Sequence, residues 1–249
     1  MKRQERHHLK ENELAHSIAA AREYMAPRGK QFGMIAAAVG LLVVAGLAFL
    51  LIRQQSRGRA DEALAGALVA YNARVIPPSD PDAADVPESA VLTNTGTFPT
   101  EAAKLRAAIP KLQAVVDQYP DAEAGIVARY HLASAFAALG RNDEALKQFA
   151  EVVTRAPKDS LYGRMARLGQ ADTQSRAGQT DAAISTWKQL AAENSPDVPA
   201  DAILLELGKA YAAKGDTAEA RKAFTQLLDQ HPTSPYSADA RTGLDNLKG

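Results

Sequence analysis

"GKAYAAKGDTAEARKAFTQLLDQHP", residues 208–232, decides the fold. It reads as two short amphipathic helices joined at Gly215 and closed by Pro232. Counted from that glycine, Ala220 lies at +5, Phe224 at +9, Leu227 at +12 and Pro232 at +17; Tyr211, Gly208 and Leu207 lie at −4, −7 and −8. The same offsets around Gly140 give Ala145, Phe149, Val152 and Pro157, with Phe136, Ala133 and Leu132 behind. Around Gly178 they give Ala183, Trp187, Leu190 and Ser195, with a proline one place late at Pro196. A partial copy precedes these, in which Ala108, Leu112, Val115 and Pro120 match the second helix alone.

Each offset has a physical role. Small residues at −7 and +5 let two antiparallel helices approach closely, and the aromatics at −4 and +9 fill the remaining space. A glycine just past the first helix takes the left-handed backbone that a tight turn needs. Asp216 followed by Glu219 predicts an N-cap with a reciprocal acidic partner. Proline ends the second helix without stranding a backbone donor. In the middle copy Gln170 and Gln174 stand where the others have Leu and Phe or Tyr, so its first helix is expected to pack less tightly or to shift.

Over residues 100–235 the pattern resembles the tetratricopeptide repeat, a helical hairpin that stacks into a superhelix. The glycines are 38 and 37 residues apart, against the ~34 usual for that repeat, so longer helices or turns are expected. Full copies are expected at about 124–160, 161–198 and 199–235, with a capping helix at 237–248. Residues 59–75, "RADEALAGALVAYNARV", form a further amphipathic helix with Leu64, Leu68 and Tyr71 on one face; it could be the first helix of the partial copy. Residues 76–100 hold five of the thirteen prolines and no basic residue, and read as a mobile insertion. Asp80, Asp82 and Asp85 there lack the turn glycine and terminal glutamate of a calcium loop.

From Met34 to Ile52, "MIAAAVGLLVVAGLAFLLI" runs nineteen residues without a charge. At 1.5 Å rise per residue that approximately matches a hydrocarbon core of about 30 Å. A head of about thirty residues and the following "RQQSRGR" do not fit a cleaved signal peptide, so an uncleaved anchor is expected. Arg22, Arg28 and Lys30 before the span balance Arg53, Arg57 and Arg59 after it; Lys2, Arg3, Arg6 and Lys10 tip the count toward a cytoplasmic N-terminus. Within the head, Leu14, Ile18, Ala21 and Met25 recur at helical spacing until Pro27. A short helix at the lipid surface accounts for them, and a docking helix for a partner is the alternative.

Composition narrows the function. The 249 residues contain no cysteine, which excludes disulfides, thiol catalysis, thiolate metal sites and a lipidated cysteine. Net charge is zero, but residues 1–59 carry +6 and the remainder −6, a basic head on an acidic body. The larger part has no basic patch with interleaved aromatics, so no nucleic acid is expected. There is no phosphate loop, HExxH or G-x-S-x-G, and His131 and His231 stand alone in separate copies. No catalytic residue, cofactor, metal or small-molecule substrate is assigned, and the expectation is a binding protein rather than an enzyme.

The fold class is therefore all-α, a single membrane helix followed by a helical-repeat solenoid. The layout (head 1–33, span 34–52, body 53–249) resembles the YfgM family of single-span bacterial inner-membrane proteins with a periplasmic tetratricopeptide-like body. That resemblance implies an accessory of the Sec translocon, with translocon subunits, periplasmic chaperones or emerging secreted clients as partners. The third copy and its flank, "YAAKGDTAEARKAFTQLLDQHPTSPYSADA", also resemble repeats of envelope-assembly scaffolds of the BamD and CpoB kind. Partners are expected on the first helix of each hairpin, at positions turned away from the packing residues: Val127, Tyr130 and Ser134; Met165, Leu168 and Asp172; Ala202, Leu205 and Lys209. Their mixture of apolar and polar groups suits extended or partly folded protein segments, though Leu168 and Leu205 could equally be core.

Overall fold

A computed structural model describes residues 29–76, 96–157, 160–193 and 198–247. The amphipathic segment of the head and most of the 76–100 insertion lie outside these residues. The chain divides into two compact units, Met1–Ser56 and Arg57–Gly249.

The first helix, α1, is Gly29–Tyr71. Among the described residues it is the one helix long and apolar enough to cross a membrane by length and composition. Its apolar run is bare, with Leu41 72%, Val44 65% and Leu51 67% exposed. The run expected to span a membrane and the helix expected at 59–75 thus share one helix.

In the second unit, the end of α1 leads into a two-residue parallel bridge, β1 (Arg74–Val75) with β2 (Thr97–Phe98). Eight helices follow: α2 Glu101–Gln118, α3 Glu123–Ala138, α4 Asn142–Arg155, α5 Leu161–Arg176, α6 Thr180–Ala192, α7 Ala200–Lys214, α8 Thr217–Gln230 and α9 Ser237–Asn246. Each of these packs on the next in sequence, and beyond that α3 packs on α5 and α7 on α9. Such nearest-neighbour packing is what stacked hairpins produce.

The repeat offsets account for the core. Ala145, Ala183 and Ala220 at +5 are all 0% exposed, as are Val152, Leu190 and Leu227 at +12. Phe149, Trp187 and Phe224 at +9 are at most 2% exposed. The partial copy behaves alike, with Ala108 and Leu112 fully buried. Against this first cluster α1 lays Ala67 and Ala70, with Leu64, Leu68 and Tyr71 half-buried beside them. The small residues of α1 sit deepest because they permit the close approach.

Gly140, Gly178 and Gly215 have φ of 74°, 76° and 81°. In each turn the glycine N–H donates to the carbonyl three residues back, and the next N–H donates to the carbonyl at −4: Arg141 to Phe136, Gln179 to Gln174, Asp216 to Tyr211. This double closure satisfies carbonyls that the helix end would otherwise strand. The guanidinium of Arg141 lies 4.5 Å from the centre of the Phe136 ring and pairs with Glu144, pinning the first turn. The Asp216 carboxylate accepts from the Glu219 N–H, capping α8. Glu219 itself pairs loosely with Lys222 at 3.9 Å.

In the middle copy Gln174 is half-buried and accepts from the Thr186 hydroxyl at 3.3 Å. A polar contact between α5 and α6 thus occupies the place of an aromatic one.

Gly208 falls on a repeat offset, whereas Gly169 and Gly243 do not. A Cβ on Gly208 would lie 2.3 Å from the Phe224 ring, and one on Gly243 would lie 2.5 Å from it. Phe224 is therefore held between two glycines of flanking helices. Gly169 receives Phe149 in the same way, at 2.5 Å. Because Phe224 is 2% exposed and walled on both sides, it has nowhere to retreat. Gly208→Ala is expected to destabilise by about 1–3 kcal/mol from overpacking, against ~1 kcal/mol recovered in helix propensity. A fall in the thermal midpoint checks this; a rise would mean the ring relaxes freely.

Candidate functional site

The inner helices α3, α5 and α7 border two hollows. One, of about 250 Å³, is lined by Tyr130, Ser134, Ala137, Ala138, Phe149, Met165, Leu168, Gly169, Asp172 and Arg176. The other, of about 490 Å³, is lined by Leu168, Asp172, Ser175, Arg176, Pro199, Ala202, Ile203, Leu205, Glu206 and Tyr236. Leu168, Asp172 and Arg176 belong to both, so the hollows meet along one face of α5.

Of the nine positions named from the sequence, Tyr130, Ser134, Met165, Leu168 and Asp172 line the smaller hollow, while Leu168, Asp172, Ala202 and Leu205 line the larger. Val127 and Lys209 line neither. Val127 is buried at 7% exposure, and Lys209 is exposed with its ammonium 2.9 Å from Glu206. Leu205 is only 3% exposed and belongs to the third core cluster, so it offers a partner little surface. Leu168 is half-buried, packed against the second cluster and still open to the hollows.

Sequence reasoning did not reach Ser175, Arg176, Glu206 or Tyr236. The first three had a signal: each falls three or four residues after a position already named, Asp172 or Ala202, and so lies on the same helical face. Tyr236 just precedes α9 and had no periodic signal.

Asp172 is the most constrained group here. Trp187, fully buried, donates its indole Nε1–H to Asp172 Oδ1 at 3.3 Å. Burial pushes the Asp172 carboxyl above the usual range, and the charge of Glu206 adds to this; the indole bond and Arg176 oppose it. An ion pair between Arg167 and Glu193 ties α5 to the end of α6, and Lys214 with Asp181 ties α7 to α6, fixing the walls.

A second polar cluster lies beside the smaller hollow. His131 on α3 meets Tyr71 of α1 edge-on at 4.8 Å, Tyr130 at 5.4 Å and Tyr162 at 6.5 Å. Its Nδ1 is buried without a hydrogen-bond partner, and burial holds its pKa below the ordinary value. The folded state therefore resists protonation. Its contribution is complete above the ordinary histidine pKa of ~6.5 and is lost as pH falls from there toward the folded pKa. Asp172, with its pKa raised, acts in the opposite sense: its contribution is complete at low pH and lost as pH rises through the carboxylate range. We expect the melting midpoint of wild type to fall more between pH 7.5 and pH 5 than that of His131→Phe. Equal falls would mean that His131 is not titrating within the fold.

Two tetratricopeptide-repeat family models match the chain, over residues 100–168 and 168–235. Residues 100–235 are tetratricopeptide repeats. Among solved structures, the nearly identical TPR-like repeats of a Podosopora anserina protein described as a kinesin light chain are similar at 20% identity. That match has a TM-score of 0.50 and covers 58% of this chain and 77% of the other. A tetratricopeptide repeat protein from Parabacteroides merdae matches at 18% identity and a TM-score of 0.50 over 59% of this chain, which spans about half (54%) of that one. At such identities the likeness is one of fold. A search of curated protein sequences finds no match. Tetratricopeptide-repeat proteins are protein–protein interaction scaffolds, and the two hollows lie where the first helices of successive repeats face a common space.

Proposed function

We propose that this protein is a membrane-anchored scaffold whose repeat groove holds extended or partly folded segments of other proteins. The observation that carries the reading is the pair of hollows joined at Leu168 and Asp172, bordered by the first helices of successive tetratricopeptide repeats. An extended segment laid along α3, α5 and α7 would meet Tyr130, Ser134, Met165, Leu168, Asp172 and Ala202 in turn, with Lys209 at the far rim. Apolar contacts there give affinity and the few polar groups fix register.

The anchor is the apolar run 34–52, in which Leu41, Val44 and Leu51 are bare. We place residues 1–33 in the cytoplasm and 53–249 in the periplasm of a bacterial inner membrane. The finer reading follows the YfgM-like layout: an accessory of the Sec translocon that meets emerging periplasmic proteins and passes them to chaperones. A scaffold in envelope assembly of the BamD and CpoB kind shares the groove but not the partners.

Protease added to spheroplasts tests the topology. The account expects digestion of the body, leaving a small protected N-terminal fragment. A body that resists protease until the cells are lysed would reverse the orientation and remove the periplasmic function. Crosslinking in intact membranes separates the two finer readings, because translocon subunits and outer-membrane assembly factors are disjoint sets.

A further inference from the structure

The geometry points to a charge preference in this groove: its occupant is an extended protein segment carrying a lysine or arginine set among apolar residues. The inference rests on the groove reading above and names the chemistry of its partner.

Tyr130, Met165, Leu168 and Ala202 supply apolar surface to the hollows. Where the two hollows join, Asp172 presents a half-buried carboxylate. One of its oxygens is engaged by the Trp187 indole, which carries no formal charge. Glu206 brings a second acid to the larger hollow from α7, already paired at 2.9 Å with Lys209, so Asp172 is the acid there that most needs a counter-charge. Arg176, one turn beyond Asp172, is the one base among the lining residues of either hollow; it is exposed and stands at the rim.

Removal from water makes a carboxylate seek a counter-charge more strongly than one on an open surface. A lysine or arginine of an incoming segment meets this demand well. Its aliphatic stem lies along Leu168 and Ala202 while its charged head reaches Asp172 and Glu206. An acidic segment placed there would instead set like charges together at a partly desolvated site, which is unfavourable.

The test uses the full chain in detergent micelles and three fluorescent peptides of about ten residues, ~30 Å when extended. All three share one alternating leucine and alanine framework and differ only in bearing lysine, glutamine or glutamate at the same places. The lysine peptide is expected to bind most tightly by anisotropy. Asp172→Asn keeps an oxygen for the Trp187 N–H, and with Glu206→Gln it removes both charges. That pair should weaken the lysine peptide by about tenfold and leave the glutamine peptide unchanged. Asp229→Asn, the same one-charge change as Asp172→Asn alone but at an exposed site on α8, should alter neither.

Equal binding of all three peptides would overturn the charge preference while leaving the groove intact. A loss with Asp229→Asn as large as that with Asp172→Asn would also overturn it, reducing the effect to overall charge. If no peptide binds to the wild type, the charge preference fails; the groove reading fails with it only if membrane crosslinks from groove positions are absent too.

Discussion

Replacing Trp187 by alanine is expected to lower the stability of the repeat domain by about 3–5 kcal/mol, more than any other single truncation in the stack. Trp187 is the largest fully buried side chain. It fills the +9 position of the middle copy, which has a glutamine at −4 where its neighbours have an aromatic. The middle hairpin consequently depends on one large group where the others share the space between two. Truncation would also remove the donor to the half-buried Asp172 carboxylate, leaving that oxygen to the hollow. For a domain of this size such a loss lowers the thermal midpoint by roughly 10 °C. Trp187→Phe separates the two effects, because it retains most of the apolar volume and removes only the N–H; a loss of about 1 kcal/mol is expected. Circular-dichroism melts of the full chain in detergent give both values. If the alanine variant melts within a degree or two of wild type, the middle copy is not packed around Trp187.

The second large effect concerns the apolar run. Val43 and Leu47 lie one turn apart near its centre, 55% and 56% exposed. An arginine at the middle of a membrane helix costs about 2.5–3.5 kcal/mol in insertion. Val43→Arg combined with Leu47→Arg, on one face, is therefore expected to move the chain out of the carbonate-resistant membrane fraction. Paired changes of the same kind on α8, such as Thr225→Arg with Asp229→Arg, should leave the distribution as it was. Continued membrane residence of the double arginine variant would show that residues 34–52 are not the anchor.

The fold was legible because a hairpin repeat imposes the same constraint several times. No single alanine or glycine says much, but small, aromatic, glycine and aliphatic residues recurring at shared offsets leave few alternatives, and the +5, +9 and +12 positions lie in the core. Elements that occur once were harder to read. The two-residue bridge between Arg74–Val75 and Thr97–Phe98 is too short to show a period and joins segments far apart in sequence. Gly169 and Gly243 serve contacts between successive hairpins, whereas the offsets describe contacts within one, so they passed unremarked. In α1, Leu64, Leu68 and Tyr71 drew notice as the large apolar groups, yet Ala67 and Ala70 are more deeply buried.

The candidate groove was legible only in part. Helical periodicity locates a face, and seven of the nine named residues line one hollow or both. Periodicity does not tell how deep along that face a neighbour reaches. Leu205 is nearly closed over by its neighbours, while Ser175 and Arg176, one turn further along α5, stay accessible to the larger hollow. Electrostatic demand is likewise a property of the assembled site. Nothing in the local sequence of Asp172 indicates that an indole fifteen residues later will take one of its oxygens.

The central claim is that proteins bind in the groove between the first helices of the repeats. It is tested most directly by a photoreactive amino acid placed in turn at Ala138 and Ser175, which line the two hollows, and at Thr225 and Gln226 on α8. After irradiation of intact membranes, the account predicts discrete protein adducts from Ala138 and Ser175, diminished by Leu168→Glu, and none of comparable yield from α8. Adducts of equal yield from both faces, or from α8 alone, would contradict it.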